Sequence, residues 1–168
     1  MHSKLIYNMD IFNKTSLLFV CLGNICRSPA AEGILKSMAK EKGIDNNLFI
    51  DSAGIGGWHV GQLPDRRMRE CGYKNGYDFS SKARQFNKMD FERFDYIIVM
   101  DEENYRDIKM KCPNGEYMKK VHRINEYFTK YKGEMSVPDP YYGDMADFQF
   151  AVELLEDACQ TLLTKLSL

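Results

Sequence analysis

The chain has 168 residues, of which 44% are hydrophobic and 28% are charged, and its formal net charge is -1 at pH 7. This length and composition fit one globular domain that buries its own core without disulfide bonds. The balanced charge gives no reason to expect binding to nucleic acid or to an anionic membrane surface. The five cysteines are an odd number and form no evident disulfide framework, so we expect free thiols and a cytoplasmic protein.

The N-terminal residues 1–15 lack a clear hydrophobic period and are predicted to form a flexible extension. An apolar run follows and ends at Gly23, which is too short for a membrane span and has no cleavage site after it. It predicts a buried strand over residues 16–20. Residues 16–168 are predicted to form a single domain.

The remaining elements alternate between helical and strand patterns. Residues 29–42 predict a helix, since Pro29 suits a first helical turn and Gly43 suits a helix end. The further predictions are a strand at 48–50, a helix at 65–71, a strand at 96–100, a helix at 103–111, a strand at 121–124, and a long C-terminal helix that includes Phe148. This order indicates a three-layer α/β/α fold with a central four-stranded parallel sheet, and ligands bind at the carboxyl ends of such strands.

The segment between the first strand and the first helix predicts a phosphate-binding loop. Residues 20–29 read VCLGNICRSP. The N-terminus of a helix carries free N–H groups and partial positive charge, which suit a phosphate. We expect Gly23 to supply a positive φ, so that successive N–H groups turn inward around the anion.

Three residues of this loop predict nucleophilic chemistry. Cys21 is a nucleophile once ionised, and a helix N-terminus and a nearby cation favour the thiolate. Arg27 offers a planar fork for two phosphate oxygens, and Ser28 is placed to hydrogen-bond the sulfur. The Cys-x5-Arg spacing alone is weak, and the prediction depends on its place between strand and helix. The alternatives are a structural buried cysteine and a metal site at Cys21 and Cys26, for which no second ligand pair follows.

An acid for the leaving oxygen is the other requirement, and Asp139 is the best candidate. It lies in the segment VPDPYYG over residues 137–143, where Pro138 and Pro140 stiffen the chain and Tyr141 and Tyr142 offer an aromatic wall. Pro-Asp-Pro is also good turn chemistry. From these residues alone, a catalytic acid and a plain turn are both open.

Taken together, these motifs resemble the low-molecular-weight protein tyrosine phosphatase family over residues 16–166. The shared motifs are VCLGNICRSP at 20–29, DSAG at 51–54, Asp65 with Arg66, ARQ at 83–85, DYII at 95–98, Met100-Asp101 with Asn104, and DPYYG at 139–143. The resemblance implies a metal-independent phosphatase without a cofactor that acts on phosphotyrosine proteins as a monomer or weak dimer. It also implies that inorganic phosphate or a similar oxyanion binds in the loop.

The resemblance assigns roles to individual residues. Cys21 carries the phosphoryl group, Arg27 binds its oxygens, and Asp139 protonates the leaving phenolate and then activates water. The residues around them include the rest of the phosphate-binding loop, a pair that keeps it rigid, and a slot for the substrate ring. The loop residues are Leu22, Gly23, Asn24, Ile25, Cys26 and Ser28; the rigid pair is Asn24 and Ser52; the slot includes Leu22, Trp58, Tyr141 and Tyr142.

Two points in the sequence bear on regulation and support. The resemblance implies a reversible Cys21–Cys26 disulfide that shields the nucleophile, whereas a plain packing role for Cys26 is the alternative.

Animal relatives often carry a His just before ARQ, where this chain has Ser80-Ser81-Lys82. We therefore expect weaker loop support, or support rebuilt with hydroxyls. His59 is expected to be solvated, without a chemical role.

Three rival functions fit these residues less well. Arsenate reductases share the loop but need two further neighbouring cysteines, and Cys71 and Cys112 lie far apart in sequence. Protein-arginine phosphatases resemble the loop but carry Thr where Ile25 stands. A phosphate-binding module without catalysis is disfavoured by the joint presence of Cys21, Arg27 and Asp139.

Overall fold

The computed structural model describes residues 14–166, and its centre is one parallel sheet. Four strands lie in the order β2-β1-β3-β4. Their bounds are Thr15–Cys21 for β1, Leu48–Gly54 for β2, Tyr96–Val99 for β3 and Val121–Arg123 for β4. All three strand pairings are parallel, which confirms the predicted sheet.

Five α-helices connect and cover these strands in the described part of the chain. They are α1 (Arg27–Glu41), α2 (Arg66–Lys74), α3 (Asp90–Arg93), α4 (Glu102–Lys111) and α5 (Met145–Leu166), with short 3-10 helices at Asp45–Asn47, Gly115–Lys120 and Ile124–Tyr127. The sequence pattern does not predict α3, which has only four residues. No helix within residues 14–166 is long and apolar enough to span a bilayer.

The central strand β1 divides the core into two parts. Side chains alternate along a strand, so Leu17 and Phe19 face one side, where the helices α1 and α5 pack. Leu18 and Val20 face the other side, with Phe91 of α3. This two-sided burial confirms the three-layer α/β/α prediction and explains why residues 17–21 form a continuous apolar run.

Element boundaries differ from the predictions where polar residues stand inside an element. The strand β2 extends through Asp51 and Ser52 to Gly54, because every one of its residues pairs with β1 up to Cys21. The helix α1 begins at Arg27, two residues before the predicted start. Of the predicted extension at residues 1–15, residues 1–13 lie outside the described chain, and Thr15 already belongs to β1.

Candidate active site

The candidate phosphate-binding loop comprises residues 22–26, between β1 and α1. Cys21 is the last residue of β1 and Arg27 the first residue of α1, so regular structure fixes both ends. The positive φ, 58°, belongs to Asn24, and the expectation that Gly23 would supply it was wrong. Asparagine tolerates the left-handed region, because its short polar side chain bonds neighbouring groups.

Two glycines instead permit close packing around this loop. A Cβ on Gly54 would lie 2.9 Å from the carbonyl carbon of Gly23 and 3.0 Å from the backbone nitrogen of Asn24. The loop therefore crosses β2 where β2 has no side chain. A Cβ on Gly23 would lie 3.1 Å from Cδ2 of His59. Gly23 thus makes room for His59 and does not serve to relax the backbone.

A hydrogen-bond network behind the loop connects Cys21 to the sheet. Sγ of Cys21 lies 3.0 Å from Oγ of Ser28. Nδ2 of Asn24 donates to Ser28 Oγ at 2.7 Å and to Ser52 Oγ at 2.9 Å, while its Oδ1 accepts from the backbone N–H of Arg84 at 3.0 Å. These contacts place Asn24 and Ser28 behind the loop, where both are buried, and join Asn24 to Ser52, the pair to which the resemblance assigns loop support.

The side chain of Arg27 is buried under the cavity and anchored from one side. Its Nη1 donates to Oδ2 of Asp101 at 2.6 Å and to the carbonyl oxygen of Val137 at 3.0 Å. Its Nη2 lies 3.6 Å from Oδ2 of Asp139. Burial works against the charged guanidinium, but the negative charges of Cys21, Asp101 and Asp139 outweigh it and raise the pKa of Arg27.

The Nε atom of Arg27 is a buried donor without a hydrogen-bonding partner among residues 14–166. Buried donors are normally satisfied, and an unpaired one is unfavourable by about 1–3 kcal/mol. Arg27 lines the cavity beside Cys21. An oxyanion in this cavity is the type of acceptor that suits the free side of the guanidinium.

Asp139 is a half-exposed carboxylate at the edge of the same cavity. Its side chain is 37% exposed, and its Oδ1 accepts from the backbone N–H of Tyr141 at 3.2 Å. Arg67 on α2 holds this segment by donating from Nη2 to the carbonyl oxygen of Tyr141 at 2.9 Å. The fold therefore brings Asp139 to Arg27 across more than a hundred residues of sequence.

The cavity has a volume of about 240 Å³ and combines polar groups at its base with a wide aromatic rim. Its lining contains Cys21, Leu22, Gly23, Ile25, Cys26, Arg27, Trp58, His59, Asp139, Tyr141 and Tyr142. The rim side chains are open to solvent, at 68% for Trp58 and 95% for Tyr142. A flat aromatic group that enters here meets apolar walls before its polar end reaches Cys21.

His59 is a cavity residue that the sequence analysis set aside as solvated. The structure places it half-buried in the lining, against Gly23, with Nδ1 3.0 Å from Oε1 of Gln62. Neither Trp58 nor His59 shares a motif with the loop. Only the fold brings them beside it.

Cys26 is the second thiol of the loop and lines the same cavity. It is 4% exposed. Burial, followed by the negative charge of Asp65, raises the pKa of Cys26 well above its ordinary value. Cys26 therefore stays a neutral thiol near pH 7.

Two acidic residues at this site were given no role in the sequence analysis. Asp101 follows β3 and bonds Arg27. Glu32 on α1 accepts a hydrogen bond from Oγ of Ser52 at 2.6 Å. The position of Asp101 after a buried strand is a usable signal, since ligands bind at the carboxyl ends of strands in such a sheet. Glu32 carried no such signal. The loop support in the described chain runs through Ser28 and Ser52 and ends on this carboxylate. No hydrogen bond among residues 14–166 joins Ser80 or Ser81 to the loop, so hydroxyls at those positions do not rebuild the support.

Comparisons with known proteins agree with this geometry. The family described as low molecular weight phosphotyrosine protein phosphatase matches residues 16–168. A protein of Synechocystis sp. whose name places it among low molecular weight protein-tyrosine-phosphatases is 51% identical over 150 residues, covering 89% of this chain and 95% of its own. The human low molecular weight phosphotyrosine protein phosphatase is 38% identical over 151 residues, covering 89% and 94%.

A solved structure gives the same result at the level of the fold. The crystal structure of a protein tyrosine phosphatase from Entamoeba histolytica, with Hepes in its active site, superposes with a TM-score of 0.88. The two sequences are 42% identical, and the match covers 91% of this chain and 97% of the other. The chain therefore belongs to the low molecular weight phosphotyrosine protein phosphatase family and is a protein-tyrosine phosphatase, a hydrolase.

Proposed function

We propose that this chain hydrolyses phosphotyrosine through a phosphocysteine intermediate on Cys21, with Arg27 binding the phosphate and Asp139 as general acid and base. The observation that carries the proposal is that a cysteine thiol, a buried guanidinium with a free Nε and a half-exposed carboxylate line one cavity. A phosphoryl-transfer site needs these three groups: a nucleophile, a cation for the equatorial oxygens and a proton donor for the leaving group.

In the first step, the thiolate of Cys21 attacks the phosphorus atom. A sulfur–phosphorus bond forms, and the bond from phosphorus to the phenolic oxygen breaks. Asp139 delivers its proton to that oxygen, so tyrosine leaves as a neutral phenol. Arg27 and the N–H groups of residues 22–26 hold the phosphoryl oxygens, because the loop lies at the N-terminus of α1.

In the second step, water attacks the same phosphorus atom. Asp139, now ionised, accepts a proton from the water, the sulfur–phosphorus bond breaks, and inorganic phosphate is released. The thiolate of Cys21 is the leaving group, and the hydroxyl of Ser28 at 3.0 Å is placed to donate a hydrogen bond to it. The products are phosphate and free enzyme.

The rim of the cavity supports selectivity for an aromatic phosphate ester. Trp58 and Tyr141 provide flat apolar surfaces, and Leu22 contributes aliphatic contact. Ile25 lines the cavity with an apolar side chain, which does not satisfy a guanidinium group. We therefore expect phosphotyrosine to be preferred over phosphoserine and over phosphoarginine.

The proposal extends to redox control and to the setting of the enzyme. Cys21 and Cys26 are both free thiols of the same loop. An oxidant such as hydrogen peroxide converts the Cys21 thiolate to a sulfenic acid, and attack by Cys26 then releases water and forms a disulfide.

Free thiols at all five cysteines suit a reducing, cytoplasmic setting, where the enzyme acts as a monomer or weak dimer.

The proposal is tested by hydrolysis of para-nitrophenyl phosphate with a chelator present, followed by a panel of phosphopeptides. We expect turnover by the wild-type protein, none by Cys21→Ser, and preference for phosphotyrosine over phosphoserine and phosphoarginine. Robust turnover by Cys21→Ser removes the phosphocysteine mechanism. Equal rates on the three peptides remove the assignment of substrate.

A further inference from the structure

Glu32 is a buried carboxylate on α1 that the proposed chemistry does not use. The residue is 3% exposed. Its Oε1 accepts a hydrogen bond from Oγ of Ser52 at 2.6 Å, and its Oε2 accepts from Nζ of Lys36 at 2.6 Å. A carboxylate is unfavourable in a protein interior unless it is both paired with a cation and hydrogen-bonded. Lys36 provides the cation from a half-exposed position, and Ser52 provides the hydrogen bond.

These contacts continue without a break from Glu32 to the nucleophile. Ser52 Oγ lies 2.9 Å from Nδ2 of Asn24, and the same nitrogen lies 2.7 Å from Oγ of Ser28. Ser28 Oγ then lies 3.0 Å from Sγ of Cys21. Each of these side chains except Lys36 is buried, so water does not compete along the line.

The direction of each hydrogen bond follows from the atoms present. Oδ1 of Asn24 accepts from the backbone N–H of Arg84, so both Nδ2 protons face the two serine hydroxyls. Ser52 accepts one of them and gives its only proton to Glu32. Ser28 accepts the other, and its only proton is then available to the sulfur of Cys21, since the alternative acceptor, the Ala53 carbonyl oxygen, lies 3.5 Å away. A thiolate at Cys21 therefore receives a hydrogen bond.

We propose that Glu32, paired with Lys36, is a positioning residue that fixes this line of hydrogen bonds and so stabilises the thiolate of Cys21. The proposal rests on the proposed function, in which Cys21 is the nucleophile. An ionised carboxylate only accepts hydrogen bonds, whereas a neutral one also donates and would compete with Asn24 for Ser52. Nζ of Lys36 lies 2.6 Å from Oε2 of Glu32, so this oxygen is held by a donor and leaves Oε1 to accept from Ser52.

Glu32 affects the ionisation of Cys21 both as a charge and as a positioning residue. These two effects have opposite signs, so an experiment can distinguish them. As a simple negative charge, Glu32 disfavours a second negative charge on the sulfur, so its removal would ease ionisation of Cys21. As a positioning residue, it secures the hydrogen bond from Ser28, so its removal would hinder ionisation. Lys36 offsets the charge of Glu32 at 2.6 Å, and we therefore expect the positioning effect to dominate.

The experiment measures the pH dependence of inactivation by iodoacetate, with alkylation located on Cys21 by tandem mass spectrometry. In Glu32→Ala we expect the pH midpoint of inactivation to rise by about one unit and kcat to fall about tenfold. Changes of this size correspond to the loss of one hydrogen bond to a charged group. The KM for para-nitrophenyl phosphate should change little. An unchanged or lowered midpoint overturns the proposal, even if kcat falls.

Variants of Lys36 test the Glu32–Lys36 pair without truncating the buried side chain of Glu32. Lys36→Met should raise the midpoint in the same direction, and Lys36→Arg should restore it. The double variant Glu32→Gln/Lys36→Met keeps a neutral acceptor for Ser52, so its midpoint should lie nearer the wild-type value than that of Lys36→Met. A double variant no better than Lys36→Met, or a Lys36→Met protein with the wild-type midpoint, contradicts the role of the pair.

A matched control and a separate readout keep the outcomes distinct. Lys119 and Glu116 form an exposed ion pair, with Nζ 2.8 Å from Oε2, and neither residue lines the cavity. Lys119→Met should therefore leave the midpoint of inactivation unchanged. A shift of equal size in this control removes the specific role of Lys36. If Cys21→Ser is inactive while the Glu32 and Lys36 variants match the wild type, only this inference fails. An active Cys21→Ser protein instead refutes the proposed function.

Discussion

Nη1 of Arg27 lies 2.6 Å from Oδ2 of Asp101, and this ion pair sets the orientation of the guanidinium under the cavity. The other oxygen of Asp101 accepts from the backbone N–H of Asn104 at 2.7 Å and caps α4. Asp101 is therefore fixed by a helix N-terminus while it holds Arg27. As a result, the guanidinium of Arg27 is positioned from α4 as well as from its own helix α1.

The Arg27–Asp101 pair predicts a loss of activity without a loss of fold. Asp101→Asn retains an oxygen that caps α4 but removes the charge that orients Arg27. We expect kcat/KM for para-nitrophenyl phosphate to fall about 10- to 100-fold, which corresponds to about 1.5–3 kcal/mol for a hydrogen bond to a charged group. Steady-state kinetics together with thermal unfolding separate the two effects.

The neighbouring Glu102 provides a matched control for this variant. It pairs with Arg123 at 2.7 Å on an exposed surface. Glu102→Gln should leave kcat/KM within about twofold of wild type, because exposed ion pairs contribute little. A decrease in the control as large as that in Asp101→Asn would contradict the specific role of Asp101.

The fold was predictable from the sequence because its core strands are buried on both faces and its helices carry apolar stripes. The strand β2 was underestimated, since Asp51 and Ser52 interrupt its apolar pattern although the backbone continues to pair with β1. What extends β2 is tertiary pairing, which a single-sequence pattern does not reveal.

The site was predictable to the extent that its chemistry was local. Cys21 and Arg27 belong to one motif, whereas Asp101 joins them because Val20 pairs with Val99, which brings the ends of β1 and β3 together. Glu32 lies in a helix, where a charged residue normally indicates a solvated face. Its burial depends on Ser52 from β2, and no spacing in the sequence encodes that contact.

Asp139 as general acid predicts a dependence on the leaving group. Asp139→Asn cannot protonate a departing phenolate, so the rate on phenyl phosphate should fall about 100-fold or more, and the rate on para-nitrophenyl phosphate should fall less. The measurement is kcat for a series of aryl phosphates. Asp144→Asn, in the same loop but outside the cavity lining, is the control. Equal losses across the series would remove Asp139 as the acid.

The same pair of groups predicts a pH optimum. The first step needs a protonated Asp139 and an ionised Cys21, so kcat/KM on aryl phosphates should peak at mildly acidic pH and decline on both sides. Asp139→Asn should lose this optimum, because the variant has no proton donor for the leaving oxygen. A wild-type rate that only rises from about pH 5 to about pH 9 would refute this assignment.

Arg67 predicts a positioning effect on the segment that carries Asp139. Its guanidinium bonds both oxygens of Asp65, reaches the carbonyl oxygen of Tyr141 at 2.9 Å and lies over the ring of Phe148 at 4.6 Å. Lysine cannot make these contacts together, so Arg67→Lys should lower kcat about three- to tenfold. Arg66→Lys is the matched control, since Arg66 pairs with Glu70 on the surface. Similar kinetics for the two variants would exclude this role of Arg67.

Asp157 on α5 predicts a pH-dependent contribution to stability. Its carboxylate accepts from the backbone N–H groups of Thr129, Lys130 and Tyr131 and from the Thr129 hydroxyl. Burial raises the pKa of Asp157, but these bonds outweigh it and lower the pKa overall. The stabilisation is therefore present above the unfolded pKa of about 3.9 and is lost as pH falls through the folded value. In urea unfolding at pH 7, Asp157→Ala should lower the free energy of unfolding by about 0.5–1.5 kcal/mol, because solvent screens these partly exposed bonds, and this difference should shrink below about pH 4. A difference that stays constant down to about pH 2 would show that the lost contacts do not depend on the charge of Asp157.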